Sequence, residues 1–275
     1  MPRFGVAEDI RIEPVEQEDL VRCFEVISHA FANDDFFHIM NPKWTTEEGY
    51  NKAQNTFIGH WRESDGRYQY YLKATVAEQT GSEACRRTVA GFAIWAEASM
   101  ANNPPSDSLS SDAAAKLYPD DEDEQEFARR SFYGFMRRRV QVIEEYGRHA
   151  AIRAGTVEMF NRTHADVKAK IADPSGNAGS VMVLDMLCVH PEYQGRGIAR
   201  PLVQWGLDKA DRDGALEAIL EASPFGKAVY ERMTFRSEGP GRFDDLYGKK
   251  YQHRKAPQIE FMRTGERSLP PLPSK

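Results

Sequence analysis

Cysteine is scarce in this sequence, and what there is forms no recognisable frame. Cys23, Cys85 and Cys188 are far apart and odd in number. They offer neither the paired spacing of a zinc site nor an even set for disulfides, so they read as reduced, structural thiols. Long apolar runs are missing as well. No stretch approaches the roughly 20 apolar residues of a membrane-spanning helix. Met1 to Asp19 has no uninterrupted apolar core such as a secretory leader carries. An intracellular, cytoplasmic chain with no membrane partner is the expectation. Positive charge is in deficit too: 36 Lys and Arg face 42 Asp and Glu, a formal net charge of −6. A broad basic field, the usual means of holding a nucleic-acid backbone without sequence preference, is therefore excluded.

What is present is an ordinary soluble composition, 41% apolar over 275 residues. Ile10-Arg11-Ile12 predicts a short strand, and Asp19 to Ile27 carries apolar residues at helical spacing behind an acidic start. Tyr68 to Ala77 and Thr88 to Ala98, rich in β-branched and aromatic residues, predict an antiparallel pair across a turn at Thr80-Gly81-Ser82. Residues 99–118, dominated by Ser, Asp, Asn, Ala and Pro, read as a surface loop. Asp120 to Glu126 holds six acids in seven positions, and Phe132, Met136, Val140 and Ile143 follow at spacings of four, four and three. Early acids and the late Arg137-Arg138-Arg139 suit the helix dipole, so one amphipathic helix of about six or seven turns is predicted. A lid over the active site is one role open to this acidic insertion.

A second helix is expected at Thr156 to Ile171, closed by turn formers at Asp173 to Asn177. After it come a strand (Ser180–Val189), a helix (about Ile198–Asp211), a strand (Ala218–Glu221), a helix (about Gly226–Arg232) and late strands near Arg236 and Gln258–Arg263. The Pro-rich tail from Leu269 reads as a frayed end.

The chemistry is concentrated where strand 180–189 runs through His190-Pro191-Glu192-Tyr193 into Gln194-Gly195-Arg196-Gly197-Ile198-Ala199 at a helix mouth. Glycines there let a ligand approach the backbone, and a helix N-terminus offers unpaired N–H groups, an arrangement that suits a pyrophosphate. Arg196 and Arg200 add cationic reach. A structural turn of the same composition is the competing reading. The third glycine of a dinucleotide fingerprint and the Gly-Lys-Ser/Thr of a P-loop are both absent.

The run Leu187-x-Val189-x-Pro191-x-x-Gln194-Gly195-Arg196-Gly197-Ile198-Ala199 resembles the acetyl-CoA-binding motif of the general-control-N-acetyltransferase-like (GNAT) superfamily, Gln/Arg-x-x-Gly-x-Gly/Ala. Leu220 to Phe235 is similar to that family's next strand and helix, and the wording of the motif is like that of many fungal members. The departures are Ala199 for the last glycine, Pro201 in the cofactor helix, and Thr234 where glycine is usual before Phe235.

The resemblance implies an α/β fold with a mixed, mostly antiparallel central sheet flanked by helices. It implies one domain over 1–275, with 99–178 a loop and helical insertion, 180–235 the acetyl-CoA-binding core and 264–275 a tail. It also implies direct transfer of an acetyl group from acetyl-CoA to a primary amine without a metal. The expected acceptor is a small molecule; a protein lysine or N-terminus, and a non-catalytic acyl-CoA-binding protein, are the alternatives. By position, the Leu187 N–H would polarise the thioester carbonyl and Val189 would pair with the pantetheine arm in a gap between splayed strands, with Cys188 between them. Tyr230 would serve the departing thiolate. Ser223 would touch the cofactor arm or cap a helix. The amine must be neutral to attack, and Glu97, then Asp185, are the candidate bases on the nearest strands. A nucleophilic Cys188 finds no histidine at a diagnostic offset. His29, His38, His60 and His190 share no metal-ligand spacing in sequence. The aromatic stretch from Phe31 to Trp61 falls on the substrate side, where core packing explains it as well as an aromatic acceptor does.

Overall fold

In the computed structural model, residues 9–265 are described except for 65, 81–83, 101, 154–178, 215 and 242. The turn between the two predicted central strands, the helix expected at 156–171 and the Pro-rich tail lie outside the described residues. Strands β1 (Ile10–Pro14), β2 (Gln69–Thr80), β3 (Ala84–Ala98), β4 (Val181–Val189), β5 (Ala218–Ala222), β6 (Arg236–Pro240) and β7 (Glu260–Arg263) form one sheet. Its order is β1-β2-β3-β4-β5-β7-β6. Only β4 and β5 run parallel; the other neighbours are antiparallel, as the resemblance implies.

Helices cover both faces. On one lies α6 (Ala199–Arg212), followed after β5 by α7 (Pro224–Glu231). On the other lie α1 (Leu20–Ala30), α3 (Glu47–Glu63) and α5 (Glu122–Arg153), with the short α2 (Asp35–Met40) after α1. Trp95, fully buried on β3, locks α6 to the sheet: its indole N–H donates to Leu202 O at 3.1 Å, and a Cβ built on Gly206 would meet the ring at 2.0 Å. Pro201 is compatible with α6 because it falls in the first turn, where an N–H has no helical acceptor.

Several expectations are corrected. The predicted loop at 99–118 contains α4 (Ser111–Leu117). Ser110 caps it by accepting from Ala113 N at 3.1 Å, and Ala114 is buried; the alanine run supplies helix propensity that composition alone read as loop. Helix α5 has 32 residues, about nine turns rather than six or seven. Its buried face is Phe127, Ala128, Ser131, Arg139, Val142, Ile143 and Tyr146, rotated from the predicted line so that only Ile143 is shared and Phe132, Met136 and Val140 are half-buried. The rotation is set by Ser131, hydrogen-bonded to Tyr247 Oη at 2.8 Å, and by Arg139, two polar groups that a hydrophobic pattern assigns to solvent. Nor is α5 a lid, since Val142, Ile143 and Tyr146 share a core with β3, β4, β5 and β7. A further helix, α8 (Asp244–Tyr251), lies where no element was expected. Phe243, Tyr247 and Tyr251, four residues apart, pack it against Phe127 and Ala128 of α5.

Candidate active site

The site begins with a parity change in β4. Met182 N donates to Glu217 O at 2.8 Å, so early β4 residues of even number pair toward β5. The register against β3 then slips between Leu184, opposite Trp95, and Met186, opposite Ile94, leaving Asp185 as the extra residue of a bulge. Beyond it His190 N donates to Ala90 O at 2.9 Å, so even residues now pair toward β3. The backbone groups of Leu187 and Val189 are thereby turned away from β3. On that side β5 has already left: pairing between β4 and β5 covers only Met182–Leu184 with Ala218–Leu220. A gap with outward-facing amides is the result, and an extended ligand can pair there as an added strand.

The gap opens into a cleft of about 990 Å³. Among its walls are Leu187, Cys188, Val189, Gln194, Gly195, Gly197, Ile198, Ala199, Arg200, Ser223 and Tyr230, all of which the sequence singles out. Gly195 and Gly197 have φ of +77° and +84°, a conformation that glycine adopts without strain, and no atom lies within 4 Å of an added Cβ at either. Gln194 donates from Nε2 to Val189 O at 3.0 Å, tying the glycine turn to the end of β4. Tyr230 is buried on α7, and burial pushes its phenol well above the ordinary range, so it stays protonated. Ser223 lines the cleft and also caps α7, accepting from Gly226 N at 3.3 Å.

Other expected residues stand elsewhere. Arg196 is not a wall of the cleft; it donates to Glu192 O at 2.8 Å and lies over the Tyr193 ring. Glu97, the first choice of base, is a correction. It pairs opposite Met182 at the start of β4, and its charged neighbours are Lys209 and Asp213 at the far end of α6, a helix about 20 Å long. Burial raises its carboxyl pKa, but the strand direction carries it away from the cleft. Asp185 sits at the vertex of the gap on the α5 side of the sheet, bound to Arg139, which also grips Glu221 of β5 through Nε at 3.1 Å. Burial opposes the charge on Arg139, and the carboxylates of Glu221 and Asp185 outweigh it, holding its pKa above the usual value. Arg139 thus bridges β4 and β5 where they begin to part.

The other wall was anticipated in part: Phe31 and Phe36 belong to the aromatic stretch expected on the substrate side, whereas Asp34 and Asp35 were not singled out. His29, Phe31, Asp34, Asp35 and Phe36, from the end of α1 to α2, face the glycine turn across the cleft. Asp34 caps α2 by accepting from Phe37 N at 2.7 Å, and burial raises its carboxyl pKa. Asp35 pairs with Lys255 at 2.8 Å, and Phe36 stacks on Phe135 with centroids 4.1 Å apart. The sequence signal was Asp34-Asp35 directly after an aromatic-ended helix. Phe225, 92% exposed at the cleft edge, was also passed over.

Comparison with known proteins agrees with this geometry. Residues 163–246 match the family described as acetyltransferase (GNAT) domain. No curated relative matches the chain. Among solved structures, one from Corynebacterium glutamicum described as histone acetyltransferase HPA2 and related acetyltransferase is similar at 15% identity, with a TM-score of 0.51 over 96% of this chain and 99% of that one. A mosquito arylalkylamine N-acetyltransferase like 5b is similar at 13% identity, with a TM-score of 0.48 over 93% and 99%. Arabidopsis thaliana NAA60 in complex with acetyl-CoA is similar at 12%, with a TM-score of 0.43 over 92% and 97%. The family match over the motif segment and the fold shared over the whole sheet agree: residues 163–246 are similar to a GNAT acetyltransferase domain, and the chain has the fold of the Corynebacterium glutamicum acetyltransferase.

Proposed function

We propose that the enzyme acetylates a small primary amine with an apolar or aromatic body, by direct attack on the thioester. The observation that carries this reading is the wall contributed by α1 and α2, where Asp34, Phe31 and Phe36 line the same cleft as Leu187 and Tyr230. A carboxylate and aromatic rings in one cleft wall favour an ammonium group attached to an apolar body.

In this reading 180–235 is the donor-binding core of a single domain. The pyrophosphate lies on the N–H groups at Gly195–Ala199 with Arg200 beside it, and the pantetheine arm runs along Leu187–Val189. The Leu187 N–H stabilises the oxyanion of the tetrahedral intermediate. Tyr230 gives its proton to the departing thiolate as the C–S bond breaks and the C–N bond is complete. The ammonium must lose a proton before attack. Asp34 is the cleft-wall carboxyl whose pKa burial raises, so it both attracts the ammonium and is the better placed base. Asp185, held by Arg139, is assigned to shaping the gap.

Release of CoA from acetyl-CoA, followed with a thiol reagent, tests this. Phenylethylamine or tryptamine should react faster than spermidine or a lysine-bearing peptide. Asp34→Asn keeps the helix cap, since asparagine caps as well as aspartate. It should raise the KM for the amine about tenfold and leave the KM for acetyl-CoA unchanged. Preference for the peptide, or an Asp34→Asn enzyme with unaltered amine kinetics, would overturn the assignment.

A further inference from the structure

We infer that Glu25, His29 and His190 form a binding site for a divalent transition metal of the zinc class, at the edge of the cleft where α1 meets the end of β4. Glu25 and His29 are four residues apart and so share one face of α1. His190 follows β4 directly and arrives from the opposite side, its ring centroid 4.8 Å from that of His29. One ligand atom from each of the three lies within 4.8 Å of the others, the one such group of three among the described residues. No sequence spacing reveals it, because the third member is 161 positions beyond His29.

The surroundings orient these donors for a cation. His29 Nδ1 is 2.8 Å from Glu25 O, so the ring N–H is spent on a backbone carbonyl and the Nε2 lone pair is left outward. That is the outer-shell arrangement metal-binding histidines use to fix their tautomer. Glu25 gives one carboxylate oxygen to Arg22 at 2.8 Å and keeps the other. His190 is 7% exposed; its Nδ1 accepts from Glu192 N at 3.4 Å and lies 3.9 Å from the Glu192 carboxylate. Coordination through Nε2 requires the ring proton on Nδ1, and the carboxylate of the 80% exposed Glu192 is the acceptor that can take that Nδ1–H in place of the backbone contact. Tetrahedral zinc with ligands at about 2.0–2.1 Å puts donor atoms roughly 3.4 Å apart. The closure required, about 1.5 Å, falls on side chains with room to move, since Glu25 is half-buried and His29 exposed.

Two imidazoles and one carboxylate select zinc, cobalt or nickel over magnesium or calcium, which want an all-oxygen shell. Three protein ligands leave a fourth position open to water. The neighbouring Arg22 opposes a cation, so the affinity expected is micromolar rather than that of a buried structural site. Because His29 is also a wall of the cleft, a bound ion ties α1 to the strand end that precedes the glycine turn.

The test is Co2+ titration of the full chain, read by the visible d–d absorption of the bound ion and by displacement with Zn2+, without any acyl transfer. One Co2+ per chain should bind with the intense bands of a four-coordinate site. His29→Ala, an exposed position whose loss spares the core, should weaken binding at least tenfold. His38→Ala, an exposed histidine of α2 outside the group, should leave it unchanged. Absence of saturable Co2+ binding, an octahedral spectrum, or equal affinity in wild type and His29→Ala would overturn the site. Amine acetylation is not read in any arm, so failure here is separate from failure of the acceptor assignment.

Discussion

At the scale of single residues, two side chains stand in conformations or states that their surroundings impose. Tyr230 is kept protonated by burial at the cleft wall. Tyr230→Phe should lower kcat roughly 100-fold, the usual contribution of a positioned general acid, while calorimetry finds acetyl-CoA binding unchanged. Thr234, the departure from the family's glycine, occupies φ +76° just after α7. A β-branched residue in the left-handed region carries a cost of about 1–2 kcal/mol, which glycine avoids at some loss of its own conformational entropy. Thr234→Gly should therefore stabilise the fold by about 0.5–1 kcal/mol, measured as a higher urea midpoint at constant m-value. The adjacent turn bonds, Met233 N and Phe235 N to Tyr230 O, should be retained.

At the scale of elements, the donor site depends on how α6 lies against β3 and β4. The helix comes close enough to β3 only because Gly206 presents no side chain to Trp95. Gly206→Ala places a methyl 2.0 Å from the indole, so the ring or the helix must give way. Overpacking of this kind costs about 1–3 kcal/mol. Thermal unfolding should show that loss, and because the helix start shifts with the helix body, acetyl-CoA affinity should fall in the same variant. An unchanged melting temperature would mean that α6 does not bear on Trp95 in solution.

At the scale of the whole molecule, α5 and α8 are joined by charge as well as by aromatic packing. Lys250 contacts Asp123 at 2.7 Å and Glu126 at 2.5 Å, and Arg254 contacts Glu124 at 2.6 Å. The hydrogen bonds from Lys250 and Arg130 depress the Glu126 carboxyl to about 2, and that from Arg138 lowers Glu238. A carboxyl depressed in the folded state stabilises it above the unfolded pKa and loses that contribution as pH falls through the folded one. Stability should therefore decline between about pH 4.5 and 2. Glu97 has the opposite sign, since burial raises its pKa and its penalty appears as pH rises past the ordinary carboxyl range. The groups of the α5–α8 seam are exposed or half-buried, so each pair contributes modestly and salt should weaken them. Urea midpoints at pH 7 and pH 3 should differ less in Lys250→Met than in wild type.

The sequence by itself determined the strand-turn-helix to which the donor is assigned in the proposed function. Gln194, Gly195, Gly197 and the following helix are local in the chain, and glycine conformation and helix-end chemistry need no distant partner. It also determined most strands, because alternation and β-branching over Tyr68 to Ala98 are local signals. Tertiary structure decided what depends on distant segments meeting. The bulge at Asp185 turns Leu187 and Val189 toward the gap, and a register slip leaves no mark in composition. Arg139 was legible only as part of a basic run until Asp185 and Glu221, 46 and 82 residues away, enclosed it. Glu97 looked close to the site by strand order, yet its position along the strand sets it at the other end of α6. Asp34 and His29 came to line one cleft in the same way, since a cleft wall is made by packing and not by neighbours in the chain.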